Sequence, residues 1–144
     1  MAEGILNHLA KGLFRAYSAG SKPSGKVRRE ALAQLASAGI SPEGFRSKSW
    51  DEFAGPDAPQ MDFIFTVCDN AAHEVCPVWP GHPATAHWGV EDPAAVEGTS
   101  EEIALAFEKA FVILENRIRL LLALPVAELE RMELEQKLKE IGRS

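Results

Sequence analysis

Apolar side chains recur with the three-to-four-residue spacing of a helix in four stretches of the chain. The sequence therefore predicts helices at 1–12, 24–39, 99–124 and 129–141. Ser24 is a good N-cap for the second helix, and residues 99–102 have the spacing of a capping box before the third. Gly12, Gly39 and Pro125 then end the first three helices.

Three short apolar runs predict strands, at 14–18, 63–67 and 85–88. The middle run is almost continuously apolar, which is typical of a strand buried on both faces of a parallel sheet. Helices that alternate with such strands predict the α/β class, here a three-layer sandwich with a small parallel sheet flanked by helices. Three strands are few for this architecture, and the first helical pattern reaches Met1 without a start signal. We therefore expect a central strand to be missing.

Length and composition narrow the class of protein. A chain of 144 residues predicts one domain spanning 1–144. Its net charge of −6 argues against a general nucleic-acid binder. No apolar run approaches the roughly 18 residues that cross a bilayer, and no signal-peptide pattern is present. We expect a cytoplasmic protein with no membrane or nucleic-acid partner.

The segment from Cys68 to Asp92 follows the buried strand and holds the densest set of polar residues. Ligands of open α/β sheets bind beside loops at the carboxyl ends of strands, which makes this segment the candidate site. Cys68 and Cys76 could form a redox pair, provided that a neighbour stabilises the reactive thiolate. They could equally be two buried cysteines that pack as small apolar side chains.

Two further interpretations concern the same segment. With His73 and His82, the two cysteines have the residue types that bind zinc, although neither Cys-x-x-Cys nor His-x-x-x-His spacing occurs. Asp92 precedes Pro93, which favours an extended backbone at Asp92 and could direct its carboxyl into a pocket as a general acid. An aspartate before proline is also a common turn starter.

Seven separated motifs, in order along the whole chain, resemble arsenate reductases built on the low-molecular-weight tyrosine phosphatase fold. They lie at 1–3 (Met-Ala-Glu), 17–20 (Tyr-Ser-Ala-Gly), 23–26 (Pro-Ser-Gly-Lys), 47–50 (Ser-Lys-Ser-Trp), 61–68 (Met-Asp-Phe-Ile-Phe-Thr-Val-Cys), 76–81 (Cys-Pro-Val-Trp-Pro-Gly) and 87–93 (His-Trp-Gly-Val-Glu-Asp-Pro). In that family a cysteine of a phosphate loop attacks arsenate, and two further cysteines complete a redox relay.

The resemblance implies a role for each candidate residue. Cys68 matches the second cysteine, which attacks the thiol–arsenate adduct and releases arsenite. Cys76 matches the third cysteine, which resolves the mixed disulfide, and Asp92 matches the general acid. The implied partners are arsenate or a phosphate-like oxyanion, and thioredoxin or a glutaredoxin/glutathione system as reductant. No cofactor and no metal are implied.

The chain departs from the family pattern at its start. The family's first strand and its Cys-x5-Arg phosphate loop precede the first helix, and neither is present in the 144 residues. We therefore expect no catalysis by the isolated chain, and we expect a homodimer or a rearranged sheet to cover the exposed strand edges. The alternatives are a non-catalytic, partner-binding member of the fold, a tyrosine phosphatase relative and a simple dithiol redox protein.

Overall fold

The computed structural model describes residues 1–20, 25–67 and 83–143. The helices are α1 (Ala2–Leu9), α2 (Arg29–Ser37), α3 (Ser100–Leu122) and α4 (Arg131–Ile141), and the strands are β1 (Phe63–Thr66) and β2 (Ala84–His87). Two 3₁₀ turns lie at Trp50–Phe53 and Pro93–Ala95. The predicted class, a small parallel sheet flanked by helices, is observed.

The two strands run parallel, with Phe63 opposite Ala84 and Thr66 opposite His87. Two backbone hydrogen bonds extend the pairing beyond the carboxyl ends of the strands. Trp88 N donates to Thr66 O at 2.7 Å, and Val90 N donates to Val67 O at 2.9 Å. The chain that follows β2 is therefore held against the carboxyl end of β1.

Helix α3 organises the core, because one of its faces is buried from Phe107 to Leu121. That face packs against α1, α2 and α4. It consists of Phe107, Ala110, Phe111, Leu114, Arg117, Ile118 and Leu121. The first turn of α3 is capped as the sequence predicts, since Thr99 Oγ1 accepts a hydrogen bond from Glu102 N at 3.1 Å.

Trp88 connects the sheet to α4. Its side chain is buried, and its ring stacks on Phe65 with the ring centroids 4.0 Å apart. Its indole Nε1 donates to the carbonyl oxygen of Leu138 at 2.9 Å. Trp88 is therefore a packing residue of the core. Trp88 directly follows β2, so this contact anchors the start of the segment that leads to Asp92.

The prediction of a strand at 14–18 is wrong for the backbone observed. The side chain of Asn7 binds both backbone groups of Ala16, because its Oδ1 accepts from Ala16 N at 2.8 Å and its Nδ2 donates to Ala16 O at 3.1 Å. These groups would otherwise be free for a strand ladder. The nearest sheet-like pairing is one isolated parallel bridge between Gly20 and Ser49.

The second helix also differs from its prediction. It begins at Arg29 rather than Ser24, and Ser24 lies outside the described residues. Arg28 occupies the N-cap position in an extended conformation, without a side-chain cap. The periodic apolar pattern located the helix correctly, and the capping signal placed its start too early.

Gly142 lies where α4 meets β2, and the space there fits no side chain. A β-carbon at this position would come within 2.6 Å of the His87 carbonyl oxygen and 2.9 Å of Trp88 Cδ1. We expect Gly142→Ala to lower the free energy of unfolding by about 1–3 kcal/mol, because backbone must move to relieve the overlap. Urea unfolding measures this loss.

Gly55→Ala is the matched control, since nothing lies within 4 Å of a β-carbon at Gly55. Its free energy of unfolding should stay close to that of the parent chain. Equal losses for the two variants would contradict the close approach of α4 to β2.

Candidate functional site

The loop that carries Asp92 lies at the carboxyl edge of the sheet, as the sequence predicts. The Val90–Val67 hydrogen bond holds this loop against the end of β1. Val67 is the residue that precedes Cys68 in the sequence. Cys68 and Cys76 themselves lie outside the described residues, as do His73 and His82 of the zinc interpretation. Within the described ranges no group of three metal-binding side chains occurs.

Asp92 starts a turn, and the side chain takes part in it. Its Oδ1 accepts a hydrogen bond from Ala94 N at 2.9 Å, and Pro93 occupies the first position of the 3₁₀ turn. The turn-starting interpretation is therefore confirmed. It remains compatible with a role as an acid, because capping engages one carboxyl oxygen and the side chain is exposed. A carboxyl group needs only its other oxygen to carry a proton.

Arg28 contacts the Asp92 turn from outside. Its Nη1 lies 3.5 Å from the Ala94 carbonyl oxygen, and its guanidinium carbon lies 5.7 Å from the centre of the Phe107 ring. The pKa of Arg28 is raised, mainly by its hydrogen bond to Glu30 and to a smaller extent by the negative charge of Asp92. Nothing in the local sequence pattern indicates that Arg28 contacts residue 94.

Arg117 supports the same loop from inside. It is 8% exposed, and its Nη1 donates to the Gly89 carbonyl oxygen at 3.0 Å. Its Nε has no hydrogen-bond partner among the described residues, and burial lowers the pKa of the guanidinium. No carboxylate pairs with Arg117 in the part of the chain that the structure describes. The periodic pattern shows only that position 117 lies on the buried face of α3. It does not indicate that the arginine binds a loop carbonyl, so the sequence did not identify Arg117 as part of this site.

A second polar region lies beside the first turn of α1, in an open groove of about 550 Å³. Three of the motifs that carry the family resemblance meet there. Ser18 Oγ donates to Glu3 Oε1 at 3.0 Å, and Lys48 Nζ lies 3.6 Å from the same oxygen. We call Glu3, Ser18 and Lys48 the α1 polar cluster. The three residues are distant in sequence, so no local spacing predicts their contact.

Backbone pairing supports the α1 polar cluster, and an ion pair lies beside it. Gly20 N donates to Lys48 O, and Trp50 N donates to Gly20 O, each at 3.0 Å. On the rim of the groove, Arg46 Nη2 contacts Glu52 Oε1 at 2.6 Å and Arg46 Nη1 contacts Glu52 Oε2 at 3.1 Å. This hydrogen bonding raises the pKa of Arg46 and lowers that of Glu52. The charged side chains of the groove are thus largely engaged with one another.

None of the described helices is both long and apolar enough to traverse a bilayer.

Comparison with known proteins shows the relatives of this chain. The family model for low molecular weight phosphotyrosine protein phosphatases matches residues 1–138. Arsenate reductase of Shouchella clausii (strain KSM-K16) is 33% identical over 109 residues, which cover 76% of this chain and 75% of that protein. Arsenate reductase of Bacillus subtilis (strain 168) is 31% identical over 119 residues, covering 83% and 82%.

A solved structure supports the same fold. It is described as an arsenate reductase in reduced state, and it superposes with a TM-score of 0.64 over 85% of each chain at 23% identity. The fold and the family inferred from the seven motifs are therefore confirmed. The chain belongs to the low molecular weight phosphotyrosine protein phosphatase family, and its relatives named above are arsenate reductases.

Proposed function

We propose that this chain serves the reduction of arsenate to arsenite, with Cys68 and Cys76 as a thiol relay and Asp92 as the general acid. The observation that carries the proposal is the hydrogen bond between Val90 N and Val67 O. It holds the Asp92 loop against Val67, which follows β1 and precedes Cys68 in the sequence. Similarity to arsenate reductases over three quarters or more of the chain supports the same reaction.

The first step of the proposed reaction uses a nucleophilic cysteine other than Cys68 and Cys76. The thiolate of a nucleophilic cysteine displaces an oxygen of arsenate, which leaves as water after Asp92 supplies a proton. The Cys68 thiolate then attacks the sulfur of the resulting thiol–arsenate adduct. A sulfur–sulfur bond forms, the sulfur–arsenic electron pair stays on arsenic, and arsenic(V) becomes arsenic(III) as arsenite departs.

The relay then moves the disulfide to Cys68 and Cys76. Cys76 attacks the Cys68 sulfur, which releases the nucleophile as a thiolate and leaves a Cys68–Cys76 disulfide. A dithiol reductant, thioredoxin or a glutaredoxin/glutathione system, returns two electrons and restores both thiols. The lower the pKa of each attacking thiol, the larger its thiolate fraction at neutral pH.

The printed sequence does not supply the nucleophile. Its two cysteines are Cys68 and Cys76, and the positions where Cys-x5-Arg would place arginine hold Glu74 and His82. The amide cradle and arginine that stabilise an oxyanion in the transition state are also unassigned, and such terms are usually the largest in catalysis. We therefore propose that the 144-residue chain alone does not reduce arsenate.

An assay of the isolated chain tests both parts of this proposal. With arsenate, thioredoxin, thioredoxin reductase and NADPH, we expect NADPH oxidation no faster than in the blank. After mild oxidation, alkylation and mass spectrometry should show a Cys68–Cys76 disulfide that thioredoxin or glutaredoxin reduces. Cys68→Ser and Cys76→Ser are the controls, since each removes one relay thiol.

Arsenate turnover and disulfide formation test separate parts of the proposal, so either part can be contradicted alone. Arsenate turnover by the 144-residue chain would contradict the requirement for an external nucleophile. Two cysteines that remain alkylatable after oxidation would contradict the relay. Hydrolysis of p-nitrophenyl phosphate would instead favour a tyrosine phosphatase, which needs the same kind of nucleophile.

A non-catalytic role through self-association is the second candidate. It is favoured by the apolar surface that α3 presents on the side opposite to its buried face.

A further inference from the structure

Helix α3 carries a second apolar stripe, which faces solvent. Leu105, Val112, Ile113 and Leu120 are 39–50% exposed, although all four are large aliphatic residues. At about 100° per residue their side chains project from one side of the helix, away from the buried face. Lys109 and Asn116 lie on the same side, between the apolar positions. We call these six residues the α3 stripe.

The order of residues in the α3 stripe is symmetric. Its midpoint lies between Val112 and Ile113, and Leu105 precedes this midpoint by as many residues as Leu120 follows it. Lys109 and Asn116 are related by the same midpoint. In a dimer of antiparallel α3 helices whose twofold axis passes this midpoint, each member of the stripe would therefore lie at the level of a member of suitable chemistry in the other copy.

We propose that the α3 stripe binds the α3 stripe of a second copy of this chain, with the two helices antiparallel. In this arrangement Leu105 lies against the other copy's Leu120, and Val112 and Ile113 of both copies lie at the centre of the contact. The Lys109 ammonium faces the side-chain oxygen of Asn116, which can accept its hydrogen bond. A twofold contact of this kind is self-complementary, because each pair occurs twice.

Charges beside the stripe fit the same arrangement. Glu108 and Arg119 lie on one flank of α3 and are almost related by the stripe's midpoint. The antiparallel partner therefore brings its Arg119 near Glu108, and the reverse. Arg119 already contacts Glu115 of its own helix at 3.1 Å, which holds the guanidinium on that flank. A parallel pair would instead place Lys109 against Lys109.

The size of the contact sets the expected affinity. Helix α3 is about 35 Å long, and the stripe occupies its central part. One pair of helix faces buries less than the roughly 1,200 Å² typical of stable complexes. We therefore expect a reversible dimer that dissociates in the micromolar range rather than an obligate one.

Sedimentation equilibrium of the full 144-residue chain tests the dimer, across the micromolar range and with reductant to exclude intermolecular disulfides. We expect Leu105→Glu and Leu120→Glu each to weaken dimerisation at least about tenfold, because each places a carboxylate against an apolar partner. Both sites are exposed, so circular dichroism should show an unchanged fold. Met132→Glu and Leu13→Glu are the controls, at apolar positions that are 85% and 81% exposed outside the stripe.

Two substitutions at one position test the antiparallel register. Asn116→Glu should tighten the dimer about fivefold, because two exposed ion pairs form with the partner's Lys109. Asn116→Lys should weaken it by a similar factor, because like charges then face each other. In a parallel dimer Asn116→Glu would weaken association instead.

Three results would overturn the proposal. The first is a monomer at every concentration. The second is a dimer that survives both leucine substitutions or is lost equally with Met132→Glu. The third is weakening by both Asn116 variants, which would refute the register.

Discussion

Lys48→Met is expected to lower the free energy of unfolding by about 3 kcal/mol, because it removes the cation that contacts the mostly buried carboxylate of Glu3. The side chains of Lys48 and Glu3 are only 8% and 14% exposed, so water can replace little of the lost interaction. Ser18 continues to donate one hydrogen bond to Glu3 Oε1, which does not neutralise the charge. Urea unfolding monitored by tryptophan fluorescence measures the loss.

A double-mutant cycle isolates the ion pair from other effects of the substitution. Glu3→Gln alone should also destabilise the chain, since it leaves the Lys48 ammonium buried. Glu3→Gln combined with Lys48→Met removes both charges, so the double variant should be more stable than the sum of the single losses predicts. Additive losses would contradict a direct interaction between Glu3 and Lys48.

Arg46→Met is the matched control for a solvent-exposed pair. Arg46 and Glu52 form a shorter ion pair than Lys48 and Glu3, but their side chains are 63% and 43% exposed. Exposed ion pairs contribute little to stability, so this variant should lose far less stability than Lys48→Met. The comparison tests whether burial rather than distance determines the contribution.

The α1 polar cluster also shows what the sequence could not predict about the site. The segments at 1–3, 17–20 and 47–50 were informative as family motifs, yet no spacing rule relates Glu3 to Lys48. Their contact depends on the paths of two chain segments that lack regular secondary structure. Asp92 was predictable, because its position after a strand places it at the sheet edge by topology alone.

The fold was predictable where a single local rule applied. Helix α3 could be predicted from the spacing of the apolar residues on its buried face and from the capping box at Thr99. Both signals lie within the helix and its N-cap, so no distant residue is needed to recognise them. The strand expected at 14–18 failed, because a side chain from α1 binds the backbone of Ala16. A prediction from strand propensity considers only residues 14–18 and cannot take the side chain of Asn7 into account. Arg117 was missed for a related reason, since its partner is a carbonyl group in a distant loop.

Leu138→Ala is expected to cost about 2–5 kcal/mol of stability, the range for a fully buried leucine truncated to alanine. Leu138 is completely buried, and its carbonyl oxygen accepts the hydrogen bond from Trp88 Nε1. The cavity would therefore open where α4 meets the sheet, next to the segment that leads from β2 to Asp92. Chemical unfolding gives the magnitude, and Trp88 should become more accessible to acrylamide in the folded state.

Met132→Ala on the same helix separates packing from helix propensity. Met132 is 85% exposed, so its truncation removes almost no buried contact, and alanine is at least as good a helix former as methionine. Its stability should stay within about 0.5 kcal/mol of the parent chain. A comparable loss in both variants would mean that α4 contributes through its helicity and not through Leu138. A loss confined to Leu138→Ala supports α4 as the element that holds β2, and with it the Asp92 loop, in place.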